Sequence, residues 1–261
     1  MLTPFDKAIE HIKEVGFHNH RREAHSNVVS IGILHDLLRH CDAVREDFET
    51  NRVGQWQNRH TPGARGRKID LLVAEPLAGG QEPDLKRMRL CVENKSVVTA
   101  HRNADARFDD LNESLQVLYK VQPDAIFVAT VLVGISERVL NVPDRIKPLF
   151  AGRKREFERT VVPRLSSGDR KLWDDFPSAV SKNRPSDPKK TADKFRMLPV
   201  REPGRTHVVG YDYVLLVPVK IDNVNQPELA RQNPLGIDID KDYERMLDRI
   251  CRAYQTRWRL T

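Results

Sequence analysis

Apolar residues in the opening stretch TPFDKAIEHIKEVGF fall at Phe5, Ala8, Ile9, Ile12 and Val15, near helical spacing, and Thr3 is placed to cap the helix. A second helix is expected through SNVVSIGILHDLLRHCDAV, where Val28, Val29, Ile31, Ile33, Leu34, Leu37 and Leu38 make a broad apolar face. Together the two helices would cover a sheet. The polar, Gly-containing RVGQWQNRHTPGARGRK reads as a loop or an irregular approach to a strand. IDLLVAEP is a short strand stopped by Pro76. The turn-rich LAGGQEPD separates it from a second strand, KRMRLCVENKSVV, and the short connection predicts an antiparallel pair. Beyond HRNADARF, the segment DDLNESLQVLYKV aligns Leu111, Leu115 and Leu118 on one helical face. QPDAIFVATVLVG is apolar almost throughout, as a strand covered on both sides requires. HVVGYDYVLLVPVKID gives another strand, and DKDYERMLDRICRAYQTRW closes the chain as an amphipathic helix.

These elements predict an α/β fold with a mixed central sheet flanked by helices. The expected organisation is a core over residues 1–150 and a C-terminal elaboration over 151–261 that adds a strand and a helix to the same compact domain. Composition refines this picture in two places. Residues 153–205 hold 15 Lys and Arg against 8 Asp and Glu, which equals the whole chain's net charge of +7. The basic excess favours a polyanionic partner. Short helices are expected near 155–165 and 169–181, with Trp173 beside basic residues. No apolar run is long enough to cross a bilayer and the N-terminus lacks a secretory pattern, so a cytoplasmic location without membrane association is expected. Cys41, Cys91 and Cys251 are isolated from one another, and neither a zinc site nor a disulfide framework is expected.

The chemistry concentrates in RLCVENKSV. Strand side chains alternate, so Glu93 and Lys95 project from one side and Asn94 from the other. Folding the hairpin brings Asp70, on the first strand, toward this pair. Two carboxylates converging at a sheet edge offer hard oxygen ligands for one or two divalent cations, Mg²⁺ above all. A lysine beside them could orient the attacking water or stabilise the pentacovalent transition state of phosphodiester hydrolysis. The competing reading is a same-face ion pair on a solvated edge, with Asp70 capping a turn.

The pattern of ID at 69–70 and VENK at 92–95, with a helix upstream and a helix and strand downstream, resembles the PD-(D/E)xK nuclease superfamily over about residues 5–135. Ile69 stands where the motif's name has proline. The resemblance implies a restriction-endonuclease-like core, Asp70 and Glu93 as metal ligands, Lys95 as the third catalytic residue, and Mg²⁺-dependent cleavage of double-stranded DNA. A type II restriction endonuclease acting as a homodimer is the leading expectation. The alternatives are a defence or repair nuclease with little sequence preference, and a non-catalytic DNA-binding protein on a nuclease fold.

Many superfamily members take a further acid from an upstream helix, for which Glu10, Glu23 and Asp36 are the candidates; His25 lies close to Glu23 in sequence. Arg65, Arg67 and Lys68 precede Asp70, and His101, Arg102 and Asn103 follow Lys95, so both clusters are candidate DNA contacts. Gln116 and Lys120 lie one turn apart on the following helix, where a polar residue could reach the site or simply face solvent. The basic stretch 153–205 is the candidate recognition element, with a flexible linker as its alternative.

Overall fold

The structure is a computed structural model and describes residues 2–15, 23–60, 68–98, 100–140, 159, 180–222 and 225–259. Helices α1 (Pro4–Val15), α2 (Glu23–His40) and α3 (Asp42–Glu49) precede strands β1 (Gly54–His60), β2 (Lys68–Pro76) and β3 (Pro83–Val97). Helix α4 (Ala100–Val121) leads into β4 (Ile126–Gly134), and the short β5 (Arg138–Leu140) pairs with β6 (Val180–Lys182) as a separate ribbon. Helix α5 (Asp187–Arg196), β7 (Tyr213–Lys220), β8 (Glu228–Leu229) and α6 (Ile239–Trp258) complete the order. Among the described residues no helix is long and apolar enough to cross a membrane.

The fold is α/β, built on a six-stranded mixed sheet of order β1-β2-β3-β4-β7-β8 with helices around it. β1, β2 and β3 run antiparallel in succession, β3, β4 and β7 are mutually parallel, and β8 returns antiparallel. The parallel centre explains the run IFVATVLVG. Eight of β4's nine residues are buried because the strand is covered on both faces. Its end packs so closely on the end of β3 that a Cβ on Gly134 would fall 2.0 Å from the Val98 carbonyl oxygen. Only glycine fits there.

Charged residues inside the frame are paired. Asp212, fully buried just before β7, exchanges backbone-linked hydrogen bonds with Phe127: its amide donates to the Phe127 carbonyl at 2.7 Å, and its carboxylate accepts from the Phe127 amide at 3.0 Å. The same carboxylate faces the buried guanidiniums of Arg201 and Arg257. On the other flank, Arg89 of β3 reaches Asp47 of α3, Glu75 of β2 at 2.7 Å and the Tyr254 hydroxyl of α6 at 3.3 Å.

The pattern-based expectations hold for the hairpin, the buried strand, the final helix and the Thr3 cap, whose hydroxyl accepts from the Asp6 amide at 3.3 Å. Five differences have physical causes. The second helix stops at His40 because Cys41 is extended, and α3 begins afresh at Asp42. Of the two readings of RVGQWQNRHTPGARGRK, a loop or an irregular approach to a strand, the second is nearer: it contains β1, an edge strand whose polar outer residues hide its one large apolar contact, Trp56. Helix α4 begins at Ala100, ahead of its leucine stripe, so that polar turns extend toward the end of β3. Within the basic stretch, α5 forms around Ala192 and Phe195, with Pro188 in its first turn; the helices expected near 155–165 and 169–181, and Trp173, lie outside the described residues. Finally, Cys41 and Cys251 form a disulfide with a Cα separation of 5.4 Å, which corrects the expectation of no such bond. They are distant in sequence, but α6 packs against α2 and α3; Cys91 is a buried free thiol.

Candidate functional site

β2 and β3 are in register with Leu71 opposite Val92, and continuing the register by one residue sets Asp70 across from Glu93. Glu93 is 3% exposed, and its Oε2 meets the Lys95 ammonium at 3.0 Å. The Ser114 hydroxyl of α4 hydrogen-bonds the same carboxylate. Burial pushes the Glu93 carboxyl above the ordinary glutamate value, and the nearby Asp70 charge adds to this against the opposing pull of Lys95 and Ser114. Burial works against the Lys95 charge too, but Glu93, Asp70 and Asp110 outweigh it and hold the ammonium above the ordinary lysine value. Lys95 is therefore a protonated cation at neutral pH. Cys91, two residues before Glu93 on the same side of the strand, is pushed well up by burial and then by these carboxylates, so it stays a thiol.

Asp70 is held from two directions. Its Oδ1 accepts from the Ser26 hydroxyl of α2 at 2.6 Å and its Oδ2 from the Asn94 backbone amide at 2.7 Å. The Asn94 side chain, on the opposite side of β3 from Glu93 and Lys95, donates to Ser26 Oγ at 2.9 Å and Ser30 Oγ at 2.7 Å and accepts from Thr130 Oγ1 at 2.6 Å. Asn58 falls between the pairs Gln57–Leu71 and Arg59–Ile69, across from Asp70. It has a left-handed backbone (φ 52°) and donates to Asn27 Oδ1 of α2 at 3.1 Å.

Asp70, Lys95 and Asn94 line a cavity of about 250 Å³ that also touches Phe5 and Ile9 of α1 and Asn103 and Arg107 of α4; Glu93 is set behind it. The arrangement offers two carboxylates as hard oxygen donors, and among the described residues no cluster of three or more His, Cys, Asp or Glu is present. The buried Glu93 Oε2 has its charge met by the Lys95 ammonium alone, and a divalent ion could take that ammonium's place as its partner.

The other sequence candidates separate. Asp36 is corrected: it turns from the sheet toward α6, where it accepts from the Tyr243 hydroxyl at 2.6 Å and pairs with Arg39. Glu10 is exposed and bound to Lys13 at 2.6 Å. Glu23 opens α2, one turn before Ser26, and His25 lines the cavity with its ring 5.0 Å from that of His11. Lys68 is exposed at the start of β2, while Arg65 and Arg67 lie outside the described residues. His101 and Arg102 are in the first turn of α4, and Asn103 reaches the cavity. Gln116 and Lys120 are exposed on the outer face of α4. The inner face instead presents Asn103, Arg107 and Ser114, at spacings of one and about two turns. Ser26, Ser30, Thr130 and Ser114 went unnoticed in the sequence; the one local signal was a lone polar residue in an apolar run, as in VVSIGIL and FVATVLV. Compared with models of protein families, with curated proteins and with solved structures, the chain matches none.

Proposed function

We propose that this protein is a Mg²⁺-dependent endonuclease that hydrolyses phosphodiester bonds of double-stranded DNA, on a core of the PD-(D/E)xK kind. The observation that carries the reading is the meeting of Asp70, Glu93 and Lys95, 25 residues apart at most in sequence, with Glu93 buried and its Oε2 3.0 Å from the Lys95 ammonium. Asp70 and Glu93 would hold the cation. The chemistry Mg²⁺ supplies in such a setting is a lowered pKa for water and neutralisation of charge on phosphate oxygens.

The chain's own residues do the rest. Lys95, protonated at neutral pH, acts as a donor to the charge that builds on the phosphate, and its raised pKa makes it unsuited to take a proton from water. Ser114 and Lys95 between them fix the orientation of the Glu93 carboxylate. Asn103 and Arg107, on the cavity wall beside Lys95, hold the neighbouring backbone phosphates. The basic excess of the whole chain draws the duplex in. Cleavage at defined sequences by a homodimer, one site per strand, completes the proposal.

The test is incubation of the purified protein with several sequenced duplexes in Mg²⁺, with Asp70→Ala and Glu93→Ala as folded controls. Discrete fragment ends support restriction-type cutting, and scattered ends support a nuclease of low sequence preference. Duplex binding in Ca²⁺ without cutting in Mg²⁺, or cutting that persists in both controls, overturns the proposed activity.

A further inference from the structure

Asp70 is the third residue of β2 and only half-buried, at the end of a strand where backbone order is weakest. A carboxylate so placed samples several rotamers unless its oxygens are held. Here both are held, and the holding runs sideways through the fold. Ser26 donates to Asp70 and accepts from Asn94; Asn94 donates also to Ser30 and accepts from Thr130. One turn of α2 thus ties β2, β3 and β4 at the same level, and Asn27 extends the tie to Asn58 on β1. Each side-chain amide atom of Asn94 is engaged, so Asn94 cannot rotate without breaking at least two bonds. Two segments distant in sequence, α2 and β3, bond the Asp70 carboxylate directly, and β4 supports it through the Asn94 side chain.

We propose that Ser26 and Asn94 are positioning residues of the cation site, fixing the Asp70 carboxylate so that α2, and not the β2–β3 hairpin alone, sets the geometry in which the divalent ion is held. The inference rests on the nuclease reading of the same site. Neither side chain touches the reacting phosphate in this scheme. They act through Asp70, and partners that orient a metal ligand are typically worth 10- to 100-fold in metal affinity.

The experiment is calorimetric titration of the full-length protein with Ca²⁺, for wild type, Asp70→Ala, Ser26→Ala, Ser26→Thr and Asn94→Ala, with melting curves alongside. Ca²⁺ affinity is expected to fall about 10- to 100-fold in Ser26→Ala and Asn94→Ala and to return in Ser26→Thr, which keeps the hydroxyl. In cleavage assays the two alanine variants should need correspondingly more Mg²⁺ for half-maximal rate and approach the wild-type rate at saturation, a split that loss of fold alone would not give. If Asn94→Ala fails to fold, Ser26→Ala with its threonine rescue decides. Wild-type Ca²⁺ affinity in Ser26→Ala overturns the positioning role and leaves the nuclease reading standing. Absence of Ca²⁺ binding by the wild type, or binding unchanged in Asp70→Ala, overturns both.

Discussion

Asp212→Asn is a demanding test of the frame that carries the site. The substitution keeps size and one acceptor oxygen but removes the charge that Arg201 and Arg257 share. The side chains of Asp212 and Arg201 are fully buried and that of Arg257 nearly so. Both guanidiniums keep carbonyl partners, Pro123 for Arg201 at 2.7 Å and Pro203 for Arg257 at 2.8 Å, so their N–H groups are not all orphaned. What remains uncompensated is two like charges in a dry site, and an asparagine NH₂ forced against a donor. Breaking one buried ion pair costs about 3–5 kcal/mol, and the retained carbonyls place this case near 3. For a chain of this size each kcal/mol moves the melting temperature by roughly 2–4 °C, so a drop of about 10 °C is expected. Thermal unfolding by circular dichroism at pH 7 reads this directly, with Asp248→Asn as control, since that carboxylate sits in an exposed pair with His40 and should matter little. An Asp212→Asn protein that melts within about 2 °C of wild type would refute the reasoning, because the buried charges would then have to be solvated by some other route.

Lys95→Ala should retain or tighten Ca²⁺ binding, since the ammonium at Glu93 is removed, while the cleavage rate falls by about 10² or more; lost cation affinity with full turnover would make Lys95 structural. Because the Glu93 carboxyl is held above the ordinary value of 4.5, it takes up its proton earlier as pH falls, and Ca²⁺ affinity should begin to fail above pH 4.5. A titration in which binding stays constant down to that pH contradicts the buried placement of Glu93. Cys251→Ser opens a covalent loop whose ends are 210 residues apart, an entropic loss of up to about 5 kcal/mol, and the oxidised wild type should melt roughly 10 °C above it. Equal melting temperatures with and without reductant would show that the bond does not stabilise the fold.

The proximity of Asp70, Glu93 and Lys95 could be read in the sequence because strand alternation and hairpin pairing are local: charges two residues apart in a strand share a face, and the hairpin returns Asp70 to them. Asn94, Ser26, Ser30 and Thr130 could not, although Asn94 lies inside the motif. Their hydrogen bonds span 36 to 68 residues, and no spacing rule links helix to strand over such distances. The sequence of helix α2 carries little information about its orientation. Apolar residues occupy most of its circumference because the sheet, α1 and α6 all pack on it, so its pattern could not tell the Ser26 side from the Asp36 side. That is why Asp36 was an eligible acid in the sequence and a partner of Tyr243 in the fold. β1 is only faintly marked for the opposite reason, since a strand with one covered face and few apolar residues gives too weak an alternation to part it from a loop.

The left-handed Asn58 has a consequence at the rim of the sheet. An open sheet exposes a row of backbone donors and acceptors along each outer strand, a template on which another chain can add a strand. Here β1 bears a positive φ in mid-strand, which bends that row out of line, and β8 at the other rim is only two residues long. Neither rim gives an incoming strand an uninterrupted run to zip onto. The polar contact with Asn27 that keeps Asn58 in place beside Asp70 thereby also guards this sheet's β1 rim against edge-to-edge pairing.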